Sequence, residues 1–243
     1  MLSRYVPQFI AMSASSPFYQ GVDTGYYSSR VNVVNSFPLY GTIPYVTTWA
    51  DFTNYYKKII DLKLIESMKD LYWDIRLKPE FGTVEIRVCD TPLTIHKSAM
   101  IAAYIQTLCS YLSKENSYNL TEDLYLVYNT NRFQATRYGY DGNFINPFTK
   151  EHTIIQEDIL ATIERIWSHA IDLGTETYIK DIKEDVLLKT NDALTQKELY
   201  IQYKTFDSIV KNNCYLLKNS LADFDDDSSI INCHNKYDCV LQI

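Results

Sequence analysis

Apolar positions recur at helical spacing from the first residues of the chain. Leu2, Val6, Phe9 and Ile10, with Ser13 in phase, predict a helix to about Ala14. Nothing ahead of Leu2 caps it, which fits either an amphipathic helix beginning at the initiator methionine or a domain entered partway through a helix. Ser13 to Arg30, with Pro17, Gly21 and Gly25 among small polar residues, reads as a long irregular segment of the kind that often carries function. From about Thr47 to Ser67 the residues Trp49, Phe52, Tyr55, Tyr56, Ile59, Ile60 and Leu64 form one apolar helical face. The period then changes to two. Tyr72-Trp73-Asp74-Ile75-Arg76 and Val84-Glu85-Ile86-Arg87-Val88 alternate large apolar with charged residues, which predicts two half-buried strands. Lys78 to Gly82 reads as the hairpin turn between them.

Asp90 and Thr91 ahead of Pro92 predict the start of a helix running to about Leu112. Leu126 to Phe148, with Gly139, Gly142 and Pro147, reads as loop-rich, with Arg132 and Arg137 on that loop. A helix from about Gln156 to Leu173 follows, acidic in its first turn and ended by Gly174. Two more are predicted near Glu176–Thr190 and Thr195–Asn219. From residue 220 to 243 the chain turns acidic, with Asp223-Phe224-Asp225-Asp226-Asp227, and reads as a flexible tail. One hairpin, with a short extended piece near Ile43–Val46, makes a marginal sheet. Either helices cover it or its other strands lie outside this chain.

Composition narrows the function classes. The 243 residues are 46% hydrophobic and 22% charged, which excludes wholesale disorder. A net charge of -7 is the wrong sign for tracking nucleic-acid phosphates. No window reaches membrane-spanning length and apolarity, and the start lacks a signal peptide's apolar core. Five scattered cysteines read as reduced thiols of a cytoplasmic protein. Glycine is scarce at 7, and neither G-x-G-x-x-G nor G-x-x-x-x-G-K-[ST] occurs, so a nucleotide would not be held by either loop.

The hairpin carries the sharpest chemistry. Asp74 with Arg76, and Glu85 with Arg87, project from one face if the turn aligns the strands. Such a face either holds a divalent cation and clamps an anion, or is a solvated surface of cross-strand ion pairs. Arg30 closes the early irregular segment, where it is either turn chemistry or a further anion contact. Arg132 and Arg137 would contact a nucleotide or stack on neighbouring tyrosines. The four histidines, and Cys233, His234 and Cys239 in the tail, lack metal-site spacing.

Three ordered stretches are recognisable. Ser13-Ala14-Ser15-Ser16-Pro17-Phe18, with Gly21-Val22-Asp23-Thr24-Gly25 and Ser29-Arg30, resembles a stretch of the carboxylate–amine ligases of the glutamate–cysteine ligase type 2 family. Tyr72 to Arg76 with Phe81 to Pro92 resembles that family's most distinctive motif, and Asn131 to Gly139 resembles a third. The resemblance covers about residues 1–219. It implies an α+β chain, part of a glutamine synthetase-like fold, whose antiparallel sheet is backed by helices. The activity implied is ATP-dependent, ADP-forming condensation of glutamate with an amine such as cysteine through an acyl phosphate, with Mg²⁺, as in glutathione biosynthesis. By the family pattern Glu85 would be a metal ligand, Arg87 a contact to phosphate or substrate carboxylate, and Arg30 a second anion clamp. Asp74, Arg76, Arg132 and Arg137 would line the nucleotide-binding floor.

The family's G-x-E-x-E and H-V-H-x-G strands have no counterpart in the sequence. The expectation is therefore a C-terminal portion lacking the N-terminal strands. It would act with a separately encoded N-terminal half or as a homo-oligomer, or persist as an inactive remnant or interaction fragment, without nucleic-acid or membrane partners.

Overall fold

A computed structural model describes residues 1–115 and 121–225. A single 3₁₀ turn, Leu2–Tyr5, leads into helix α1, Val6–Ser13, all eight residues of which are buried. Two two-residue strands, β1 (Phe18–Tyr19) and β2 (Val22–Asp23), pair across a tight turn in the early irregular segment. There follow α2 (Ser29–Val34), β3 (Tyr40–Gly41), α3 (Trp49–Asp61), β4 (Tyr72–Trp73), β5 (Ile75–Lys78) and β6 (Thr83–Ile86). The rest is mainly helical: α4 (Ile95–Lys114), α5 (Asp123–Tyr138), α6 (Ile155–Leu173), α7 (Glu176–Leu188), α8 (Asp192–Tyr203) and α9 (Phe206–Asp225). A small hairpin, β7 (Asn143–Ile145) with β8 (His152–Ile154), separates α5 from α6. Helices and small sheets together make a mixed α and β architecture.

The organising element is α1. Its Val6, Phe9, Ile10 and Met12 are all at most 2% exposed and sit among α4, α5 and α6 in the larger apolar core. A helix apolar on every side is stable only when enclosed, and this one is enclosed by helices. A second, smaller core lies under α3, where Phe52 and Ile59 pack on Leu71 and Trp73. Between α1 and α6 runs a fully buried polar network. Both Arg4 guanidinium arms donate to Asp158, Gln8 donates to the same carboxylate at 2.6 Å, and the Tyr104 hydroxyl donates to Gln8 at 2.6 Å. Arg4 also sits against the rings of Tyr5 and Phe144. Burial pushes the Tyr104 phenol well above its ordinary range, so it remains a donor.

The hairpin forms, but the expected strand Tyr72–Arg76 is divided at Asp74 between β4 and β5, and β6 ends at Ile86, ahead of Arg87. The register pairs Ile75 with Ile86 and Arg76 with Glu85, and the turn is a 3₁₀ turn, Pro79–Phe81, closed by Gly82 at φ 61°. Other expectations need correction. The segment from Leu126 is mostly helix α5, so Arg132 and Arg137 stand on a helix and not on a loop. Its buried side includes Asn131, Arg132 and Thr136, and a buried face built from polar groups has no apolar stripe to announce it. The helix expected at Asp90–Pro92 begins at Ile95, capped by the Thr94 hydroxyl, because the Asp90 carboxylate is already bonded to Arg30, Ser15 and Ser16. Helix α3 stops at Asp61, followed by Lys63 at φ 56°, short of the expected Ser67. The extended piece near Ile43–Val46 is not a strand; Tyr40–Gly41 pairs with β4 instead, in parallel. The last predicted helix is two, broken at Lys204 (φ 54°), and α9 continues past residue 219 to Asp225. The remainder of the acidic segment, with Cys233, His234 and Cys239, lies outside the described residues. No described helix is long and apolar enough to cross a membrane.

Arg4→Met or Asp158→Leu alone is expected to lower stability by about 3–5 kcal/mol, since each strands a buried charge. The double replacement should lie much closer to the parent. Urea denaturation of the four proteins checks this, and equal losses for single and double variants would mean that the two charges are not one unit.

Candidate functional site

Asp74 is where the chain changes partners. Its N–H donates to the Gly41 carbonyl on the parallel side (2.7 Å), and its carbonyl accepts from the Arg87 N–H on the hairpin side (2.8 Å). The carboxylate is thereby fixed toward α5. It accepts from Arg132 Nε at 2.6 Å, from Arg132 Nη2 at 3.0 Å and from the Tyr128 hydroxyl at 2.6 Å. Arg132 Nη1 reaches on to Asn35 Oδ1 at 2.6 Å. Asp74 and Arg132 are each 4% exposed, so the pair is buried and its polar groups are satisfied on both sides. Burial, with the Asp74 charge beside it, pushes the Tyr128 phenol well above its usual range and keeps it protonated.

Arg30 arrives from the other direction. The loop ahead of it hangs from α5, where the Thr136 carbonyl accepts from the N–H groups of Tyr27 and Ser28. Arg30 Nε then donates to Asp90 Oδ1 at 2.7 Å, and Nη2 donates to the carbonyls of Val88 and Cys89. Asp90 is 3% exposed and also accepts from the Ser15 N–H and the Ser16 hydroxyl. Burial pushes the neighbouring Cys89 thiol up to about 11, so it serves as packing and not as a nucleophile.

Arg30, Arg87, Arg132 and Asp74 converge on one cleft of about 100 Å³, with walls from Val31 and Trp73. The three guanidinium groups are not equally neutralised. Arg132 is held bidentately by Asp74, and Arg30 is held by Asp90. Among the described residues Arg87 has only the Leu71 carbonyl at 3.4 Å, Glu85 at 3.9 Å and the face of Tyr72 at 5.8 Å. It is the loosest cation of the cleft and the one best able to exchange its contacts for an incoming anion. A guanidinium in such a position presents a fork that matches a carboxylate or a phosphoryl group.

The other expected site residues lie outside this cleft. Glu85 accepts from Arg76 Nε at 2.9 Å and Nη2 at 2.6 Å, with Lys78 at 3.8 Å, while Arg76 also donates to the Lys69 carbonyl at 3.2 Å. Arg76 and Glu85 are thus a cross-strand pair at the rim. Arg137 holds the early loop: it donates to the Thr24 carbonyl at 3.2 Å and lies over the Tyr26 ring at 4.7 Å. That contact explains Gly25, at φ 69°, where a Cβ would fall 2.3 Å from Arg137 Nη1. Asp90, Tyr128 and Asn35 were not expected in the site; each partners a residue far away in sequence, and no local pattern marks such a contact.

The donor set does not fit a magnesium ion. Among the described residues no three carboxylate, histidine or cysteine side chains are grouped to hold a metal, and the Glu85 carboxylate is surrounded by three cationic side chains. No chemical step is therefore routed through a metal at Glu85.

Comparison with known proteins places this geometry. The model of the family described as Glutamate-cysteine ligase family 2 matches residues 1–197, which include every group lining the cleft. The chain is 51% identical over 215 residues to a protein of Legionella pneumophila (strain Corby) carrying the name Putative glutamate–cysteine ligase 2-1. It is 50% identical over 215 residues to one of strain Lens, named in the same way as 2-2. In each case the alignment takes in 88% of this chain and 56% of the relative, so the chain spans little more than half the length of the curated relatives it matches.

Two substitutions separate the buried pair from the rim pair. Asp74→Asn should cost about 3–5 kcal/mol, because it leaves Arg132 charged and buried without its counterion. Glu85→Gln should cost less, about 1–2 kcal/mol, because the Glu85 carboxylate is partly exposed and buried Arg76 keeps the Lys69 carbonyl. Urea denaturation ranks them; similar losses would show that the rim pair is as structural as the floor.

Proposed function

The chain belongs to the glutamate–cysteine ligase family 2, and we propose that it carries the anion clamp of an ATP-dependent carboxylate–amine ligase. The observation that carries this reading is Arg87, a weakly neutralised guanidinium held over a buried Asp74–Arg132 floor inside the residues that the family matches. In the proposed reaction a γ-carboxylate oxygen of glutamate attacks the terminal phosphorus of ATP and ADP leaves. The nitrogen of an amine such as cysteine then attacks the acyl carbon, phosphate departs, and the nitrogen gives up a proton. Negative charge builds on oxygen in both steps, and fixed guanidinium groups stabilise it without reorganising.

In this reading Arg87 contacts the substrate carboxylate or the phosphoryl group, and Arg30 is the second clamp. Arg132 and Asp74 hold the floor in shape, Arg76 with Glu85 fixes the hairpin, and Arg137 secures the early loop. A cleft of about 100 Å³ takes one carboxylate or phosphoryl group and leaves no room for a whole nucleotide. The nucleotide, its Mg²⁺ and the acidic ligands that metal requires would therefore be met by residues beyond those described. We propose that these stand on the further strands of a glutamine synthetase-like sheet, on a partner polypeptide, in the cytoplasm.

The test is ADP release with ATP, Mg²⁺, glutamate and cysteine. The purified chain is assayed alone and after co-expression with the part of the strain Corby relative that it does not span. The expected result is release, dependent on both amino acids, in the co-expressed sample only. Arg87→Lys should then lower turnover about tenfold or more, equivalent to about 1.4 kcal/mol or more of transition-state stabilisation. Release by the chain alone would mean that the site is complete without a partner. A folded pair that releases no ADP would favour a non-catalytic fragment.

A further inference from the structure

Arg30 differs from Arg132 in how its counterion holds it. The Asp74 and Arg132 side chains are both buried, whereas the Arg30 side chain is 39% exposed and that of its partner Asp90 only 2%. A buried carboxylate therefore grips a guanidinium that still reaches solvent. The grip takes in backbone as well as side chain. Arg30 Nε donates to Asp90 Oδ1 at 2.7 Å, while the Arg30 N–H donates to Ser16 Oγ at 3.1 Å. The Ser16 hydroxyl donates in turn to Asp90 Oδ2 at 2.7 Å, which closes the circuit on one carboxylate.

Asp90 is itself pinned to the end of α1. Its Oδ2 also accepts from the Ser15 N–H at 3.0 Å, and its own N–H donates to Ser13 Oγ at 3.2 Å. The Ser13 hydroxyl donates to the Phe9 carbonyl at 2.7 Å, within a helix that is buried throughout. The placement of Arg30 is thus inherited from an enclosed element of the core. With Nε on Asp90 and Nη2 on the Val88 and Cys89 carbonyls, Nη1 is left without a hydrogen bond among the described residues. One arm of a fixed guanidinium is free, on a residue that lines the cleft.

We propose that Asp90 is a positioning residue of the anion clamp: it holds Arg30 so that Nη1 meets the bound anion, without touching that anion itself. This role rests on the reading of the cleft as an anion clamp. Two effects of the Asp90 carboxylate oppose each other. Its negative charge beside Arg30 works against an incoming anion. Its hold on a long, rotamer-rich side chain removes an ordering cost that binding would otherwise carry. An ion pair that only satisfied buried Asp90 would show the first effect alone. A positioning pair shows the second as the net result.

The experiment adds inorganic phosphate to the purified, ¹⁵N-arginine-labelled chain and follows the assigned Nε–H signals by NMR. In the parent the Arg30 and Arg87 signals should move together along one saturating curve. Asp90→Asn leaves one acceptor oxygen where the carboxylate uses two, so either Arg30 or the serines must be released. Its dissociation constant for phosphate should rise about fivefold, against the fall that removing a negative charge would give. Before phosphate is added, the Arg132 signal should be the same in parent and variant, which reports an intact Asp74 floor. Ser16→Ala keeps the carboxylate and its charge but removes both Ser16 links, and a rise of about twofold is expected. This second variant decides the matter if Asp90→Asn does not fold. Equal or tighter phosphate binding in folded Asp90→Asn, or unchanged binding in Ser16→Ala, would overturn the proposal and leave the clamp standing. A parent whose Arg30 and Arg87 signals ignore phosphate would overturn the clamp reading, and the role of Asp90 with it.

Discussion

The candidate site depends on one buried ion pair. Asp74 and Arg132 meet where two small sheets and a helix converge, and the carboxylate answers demands from all three. Its backbone stitches the parallel pair to the hairpin, and its side chain locks the α5 guanidinium in place. A buried pair of this kind contributes little net stability compared with an apolar replacement. What it supplies is position: the cleft floor is set to one geometry, and Arg87 and Arg30 line the same cleft.

Arginines divide the labour of the site according to how well they are neutralised. Arg132, Arg76 and Arg137 have partners that explain them without any ligand: a carboxylate below the floor, a carboxylate at the rim, and the carbonyl and ring of a loop. Arg30 is anchored along one edge, and Arg87 hardly at all. A guanidinium held this loosely can exchange its contacts for an incoming anion. Glu85, the metal ligand that the family pattern implies, is held here by Arg76, with Lys78 and Arg87 farther off.

The local elements were readable where a single period governs a stretch. The alternation of Tyr72 to Arg76 and of Val84 to Val88 announced the hairpin, though not its register, and Gly174 ends α6 as expected. Helix α5 was hidden because Asn131, Arg132 and Thr136 point inward, which inverts the usual pattern. Asp90 was misread because an aspartate ahead of a proline looks like a cap; only its distant partner, Arg30, reveals its actual use. Of the seven residues singled out, the resemblance to a known family pointed to all, yet it could not say that four share a cleft and three do not. That distinction comes from partners far off in the chain, which no local pattern contains.

Those separations have a consequence for how the cleft comes into being. Asp74 is 58 positions from Arg132, and Arg30 is 60 from Asp90. Closing loops of that size carries an entropic cost that must be met before either guanidinium finds its place. No short excised segment holds the anion clamp. An anion that binds only the assembled cleft draws the folding equilibrium toward the native chain, so occupancy of the site and integrity of the fold become readings of the same quantity.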